Sequence, residues 1–92
     1  IYAFHDINPQ APIHVLIIPK NKDGLTGISK VEEKHQVVLG HMLLKAREIA
    51  EITGVGASGY RLVINDGKEG QQTVDHIHIH LLGGRQLRWP PG

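Results

Sequence analysis

The stretch Asp75-His76-Ile77-His78-Ile79-His80-Leu81-Leu82-Gly83-Gly84-Arg85 constrains this chain more than any other. Alternation of period two predicts a β-strand. On such a strand Val74, His76, His78, His80 and Leu82 share one face, and Asp75, Ile77, Ile79 and Leu81 share the other. The aliphatic face suits a core. The imidazole face has no packing rationale: Val or Thr would fit the pleat better, and a buried polar group without a partner costs about 1–3 kcal/mol. The bland alternatives are structural histidines or a tag-like run. The strand formers between the histidines argue against the latter, and clustered ionisable groups point toward a functional site.

The rest of the chain supplies a frame for this strand. Ile1–His5 reads as a short strand. Asp6–Pro12 is a connection, broken by Pro9 and Pro12. Ile13–Ile18 is a strong, centrally placed strand, apolar except for His14 and ended by Pro19. Ser29 and Glu32 are spaced as a capping box for an amphipathic helix carrying Val31, His35, Val38, Leu39, Met42, Leu43, Ala46, Ile49 and Ala50, closed by Gly54. Gly40, in mid-helix, is either a site of close backbone approach or a tolerated surface glycine. His35 and His41 read as solvated or interface residues. A third strand covers Gly59–Asn65, and a glycine-containing loop, Asp66–Gln72, leads into the histidine strand. The tail ends Trp89-Pro90-Pro91-Gly92. The expectation is one α+β domain over residues 1–92, an antiparallel meander sheet with one main helix packed on it, and with runs 60–65 and 74–82 paired.

Composition removes several classes. With 92 residues the core is thin. No cysteine means no disulfide framework and no thiolate nucleophile, which fits a reducing compartment. A net charge of +1 with scattered cations shows no nucleic-acid footprint, and no apolar run reaches the ~18 residues of a membrane span.

Zinc is the first chemistry to test. Along a flat strand His76 and His80 start about 13 Å apart, whereas Zn–N bonds are ~2.0–2.1 Å, so three rungs do not converge on one ion. An extended ladder suits an extended anionic ligand instead. Imidazole, with a reference pKa of ~6.5, donates, accepts or attacks near neutral pH, and it can carry a covalent group between two half-reactions. A phosphoryl centre is a natural target, its oxygens held by Thr73 and the loop's backbone N–H groups.

These residues resemble a known family. His76-Ile77-His78-Ile79-His80-Leu81-Leu82 has the alternating pattern of the histidine triad (HIT) superfamily. Ala3–His14, the Val63-Ile64-Asn65 segment with its loop, Gly83-Gly84-Arg85 and the Trp-Pro-Pro-Gly ending look like its Hint branch. The resemblance implies a HIT-like fold and a homodimeric hydrolase of purine nucleoside phosphoramidates and acyl-nucleotidates, located in the cytoplasm or nucleus. It needs no cofactor; zinc binding is possible but not required for turnover. By the same resemblance His78 attacks the α-phosphorus, His76 and His80 orient it and contact phosphate, and His14 supports them. Asp6 matches a ribose ligand. Phe4, His5 and Ile7 match residues around base and ribose. Asn65, Gln72 and Thr73 match residues near phosphate and leaving group, and Trp89 matches a tail residue that reaches the partner's site.

Thr73 stands where relatives commonly have Ser, and Gln71 where many have Gly, which predicts a stiffer loop. The helix and strands that open Hint proteins are expected to be missing. Asp6 also reads as a plain Asx-turn former, and Trp89 as a core plug. Two functional alternatives stand beside the phosphoramidase: a dinucleoside polyphosphate hydrolase of the Fhit type, and a nucleotide-binding scaffold without turnover.

Overall fold

The computed structural model describes residues 1–92. Four strands, β1 (Tyr2–His5), β2 (Ile13–Ile18), β3 (Tyr60–Val63) and β4 (Ile79–Gly83), form one antiparallel sheet in the order β1-β2-β4-β3, and one long helix, α1 (Gln36–Ile52), crosses between β2 and β3. The α+β class and the single main helix are as expected. The order differs from a simple meander in one respect. The helical connection skips a place, and the last strand fills it, so β4 lies inside the sheet.

Period two sorts the strands into two faces. Val15, Ile17, Ile79 and Leu81 point to the helix side and are buried with Met42, Ala46 and Ala50 of α1, joined by Leu25, Val55 and Ile77. Each large aliphatic contributes roughly 1.5–3 kcal/mol of burial. Gly83 lies under Val55, where a Cβ would meet Val55 Cγ1 at 3.0 Å. No second helix covers the other face. Paired residues share a face, so Phe4, Leu16, His80 and Val63 form one row across it, and His14, Leu82 and Arg61 another.

Local chemistry moved several boundaries. The capping box falls on Glu32 and His35 rather than Ser29 and Glu32, and α1 begins at Gln36 after two 3-10 turns. Ser29 is engaged elsewhere: its N–H and Oγ both donate to Asp66 Oδ1 at 3.1 Å. Gly54 does close the helix, with φ +83°, the left-handed region glycine favours. A Cβ at Gly40 would meet nothing within 4 Å, so no close backbone approach is made there within this chain. His35, expected at the surface, is only 2 % exposed. Its Nδ1 accepts the Glu32 N–H at 3.0 Å and its Nε2 donates to the Asp23 carbonyl at 3.1 Å, so it is a core histidine that caps the helix entry.

Candidate active site

The histidine strand is shorter than its sequence suggests. Regular pairing starts at Ile79, while the His76 N–H turns back to the Val74 carbonyl at 2.9 Å and the Ile77 N–H pairs with Leu25 at 2.9 Å. The expected ladder of His76, His78 and His80 is therefore replaced. His76 sits in the turn, with Nε2 donating to the Pro19 carbonyl at 2.9 Å. The stacked group is His78, His80 and His14: His80 lies 5.0 Å from His78 and 5.1 Å from His14, centroid to centroid. Those contacts are closer than the roughly 7 Å that i, i+2 spacing gives on a flat strand.

Hydrogen bonds assign the protons, because a backbone N–H only donates and a carbonyl only accepts. Gln10 N–H donates to His14 Nδ1 at 3.0 Å, which places the His14 proton on Nε2. That Nε2–H reaches His80 Nδ1 at 2.9 Å, with Asp6 Oδ2 3.5 Å away. His80 then carries its proton on Nε2. Burial pushes its pKa below 6.5, the charges of His78 and His14 push the same way, and Asp6 opposes them. His78 Nδ1 donates to the His76 carbonyl at 2.8 Å, which leaves the His78 Nε2 lone pair uncommitted. His78 is itself 9 % exposed.

The groove beside the His14 and His80 rings encloses about 280 Å³ and is lined also by Gln10, Arg61, Asn65 and Pro91, among others. Asn65 Nδ2 donates to the Gly70 carbonyl at 2.7 Å and holds the loop, leaving its Oδ1 free. Thr73 is exposed. Gln72 does not offer its amide to the groove: Nε2 donates to the Thr26 and Val74 carbonyls, and Oε1 accepts the Gly67 N–H. Its side-chain amide is spent on shaping the loop expected near phosphate and leaving group. The N–H groups of Gln71 and Gln72 are likewise turned into the loop. Gln71 has φ +64°, in the left-handed region that favours glycine.

At the other end of the face, Phe4 shares the His80 row while His5 pairs with Val15 on the opposite side. Ile7 is fully exposed. Asp6 forms the expected Asx turn, Oδ1 accepting the Asn8 N–H at 2.8 Å, while its Oδ2 lies 3.5 Å from His14 Nε2. Trp89 is 81 % exposed, so it is no core plug, and the tail is tied to β3 through Arg61 Nη2 and the Arg88 carbonyl at 2.8 Å. Sequence reasoning missed Gln10, Pro19 and Leu25, whose contributions come from backbone atoms, and Arg61. Only Arg61 left a signal, a charge on the strand face that leads to Asn65.

The HIT domain family model matches residues 1–87. The chain belongs to the histidine triad family. Within it, the chain falls in the Hint branch. It is 61 % identical over 92 residues to a maize "14 kDa zinc-binding protein", covering all of this chain and 71 % of that protein. It is 56 % identical to the Arabidopsis "Adenylylsulfatase HINT1", again over the whole chain and 62 % of that protein. Among solved structures, a HIT family hydrolase from Legionella pneumophila superposes with TM-score 0.94 at 49 % identity, covering 98 % of this chain and 79 % of that one.

One of these histidine triad relatives carries zinc in its name, and Asp6, His14 and His80 do bring one donor atom each to within 4.8 Å of one another. The arrangement does not fit the ion. His14 Nε2 and His80 Nδ1 are 2.9 Å apart, a hydrogen-bond distance, whereas two nitrogens on a tetrahedral zinc stand about 3.3 Å apart. The Gln10 N–H aimed at His14 Nδ1 also fixes the proton on the nitrogen that would have to bind metal, where a zinc-bound histidine needs an acceptor at its other nitrogen.

Proposed function

We propose that this histidine triad protein hydrolyses purine nucleoside phosphoramidates and acyl-nucleotidates through a nucleotidyl-histidine intermediate on His78. The observation that carries the reading is the His78 Nδ1–H bond to the His76 carbonyl. It fixes the tautomer whose Nε2 lone pair can attack.

In the first half-reaction His78 Nε2 forms a bond to the α-phosphorus while the P–N or P–O bond to the leaving group breaks. His80 Nε2–H is the donor available for a phosphoryl oxygen or for the departing group, and His14, oriented by Gln10, holds His80 in the donating tautomer. In the second half-reaction water attacks the phosphorus and gives a proton to His80 Nε2, replacing the one passed to the departing group, the His78–phosphorus bond breaks, and the nucleotide leaves. Phe4 and Ile7 face the base, Asp6 Oδ2 the ribose, and Asn65 and Thr73 the phosphate side. The hydrolase names of the relatives support the class of reaction.

The reading includes a homodimer. β3 is a sheet edge at which Leu62, and Ile64 just beyond it, are exposed, and Val37, Leu44 and Ile52 are exposed along the outer side of α1. Pairing of the two β3 edges about a two-fold axis would cover both features and bring each tail toward the other groove. The deciding assay offers an adenosine phosphoramidate, adenylyl sulfate and a diadenosine polyphosphate, with and without EDTA, and follows AMP release. Turnover of the polyphosphate alone would replace the phosphoramidase reading, and loss of activity with EDTA that zinc restores would revive the metal.

A further inference from the structure

Three of the chain's four arginines, Arg61, Arg85 and Arg88, gather at one end of the histidine groove. Arg61 lines the groove with His14 and His80, and it also lines an adjoining hollow of about 520 Å³ with Arg85, Arg88 and the end of the tail. Pro91 borders both, so the two spaces adjoin along Arg61 and Pro91. Arg47, the fourth arginine, pairs with Glu51 at 3.7 Å. The other three have no carboxylate within 4.0 Å, since every ion pair lies elsewhere. Their only acceptors are carbonyls: Arg88 for Arg61, and Gln10 and Gln86 for Arg85. Five N–H groups per guanidinium leave most of each fork unused. Three cations without counterions repel one another, and a bound oxyanion relieves that repulsion with paired, charge-assisted hydrogen bonds.

The register says which part of a substrate meets them. Phe4, Leu16, His80 and Val63 run across the sheet from β1 to β3, and Arg61 stands one row along on β3 beside Leu82 and His14. On β3 Val63 is level with His80 and Arg61 with Leu82, so Arg61 lies about 13 Å along the sheet from the level of His78, and a nucleotide whose base lies at β1 and whose phosphorus lies at His78 meets it when its outgoing group crosses β3 and runs along that strand toward Leu82. We propose that Arg61, backed by Arg88 and Arg85, is an anion subsite for the leaving group, so that the site prefers nucleotidyl substrates whose departing group carries an oxyanion. This rests on the proposed reaction for the direction in which the substrate lies. Edge pairing of β3 would use backbone groups and leave Arg61 on the histidine face.

The test compares adenosine 5′-phosphoramidates of β-alanine, taurine and β-alaninamide, which share one P–N bond but end in a carboxylate, a sulfonate and a neutral amide. The expected kcat/KM for the charged pair exceeds that of the amide by about tenfold, the scale of a charge-assisted hydrogen bond. The ratio collapses toward one in Arg61→Gln, falls partly in Arg88→Gln, and is partly kept in Arg61→Lys. Which charged compound leads identifies the preferred oxyanion. Calorimetric binding of the same compounds to His78→Ala reads the discrimination without turnover. Discrimination in binding with no AMP release by the wild type would keep the subsite and sink the reaction. Equal turnover and equal binding of all three, or a ratio that survives both Arg61→Gln and Arg88→Gln, overturns the subsite while leaving the reaction intact.

Discussion

His35 and His78 are both buried imidazoles, 2 % and 9 % exposed, and both are fixed by backbone hydrogen bonds. They differ in what is left over. His35 spends both nitrogens, Nδ1 on the Glu32 N–H and Nε2 on the Asp23 carbonyl. His78 spends only Nδ1, and its Nε2 keeps a lone pair. Burial and hydrogen bonding alone thus separate neither residue from the other. The unspent nitrogen does, because only an uncommitted lone pair can form a bond to phosphorus.

Activity separates the two histidines most widely. His78→Ala is expected to lower kcat by about 10³-fold or more, with the thermal midpoint close to that of the parent. Steady-state kinetics and a melting curve on the same sample check both halves, and near-normal turnover would remove His78 as nucleophile. His35→Ala should do the reverse. It empties the space of a buried ring and leaves the Glu32 N–H and the Asp23 carbonyl without their partner, at about 2–3 kcal/mol together, which lowers the melting temperature by roughly 10–20 °C. The protein that remains folded should keep its kcat. A His35 variant that melts normally but does not turn over would erase the distinction between a spent and an unspent nitrogen.

His76→Ala tests the contrast from the other side. The group that orients His78 is the His76 carbonyl, which survives the substitution, while the ring is tied to Pro19. A loss of only about tenfold in kcat is expected, from a loosened turn rather than a missing reactive group. Should the loss match that of His78→Ala, the His76 ring itself acts in the reaction.

Much of this was legible in the chain. The burial of Ile77, Ile79 and Leu81, the inner position of Ile13–Ile18 and the left-handed Gly54 follow from periodicity and backbone preference, which are local properties. What the chain did not announce was set by distant partners. Ser29 lost its capping role to Asp66, 37 residues away, and Gln72 was drawn into the loop by Thr26 and Gly67. His76 left the ladder because the chain pairs with Leu25 there rather than with β3. The tautomers were beyond reach for a further reason. They are written by the backbone groups of Gln10, His76 and Pro19, which every residue type carries, so no side-chain pattern announces them.

The smallest effect concerns His80, which stands between the two cases: Nδ1 is spent on His14, and Nε2–H points onward. Its pKa lies below 6.5 because burial disfavours the cation first, with His78 and His14 adding repulsion, while Asp6 pulls the value back up. An NMR titration of the ring protons should therefore show a midpoint below 6.5, and Asp6→Asn should move it lower still by removing the one opposing influence. The linkage has a definite sign. On acidification the unfolded chain takes up this proton first, so the His80 contribution to stability is intact above about pH 6.5 and is lost as pH falls through the folded value. His80 stays a neutral donor across that interval, so kcat/KM should hold at pH 6.5 and decline only on the acid side of it. A midpoint at or above 6.5, or one that rises in Asp6→Asn, would show that the ring is not desolvated as its place among three other polar groups requires, and the donor role given to Nε2 would go with it.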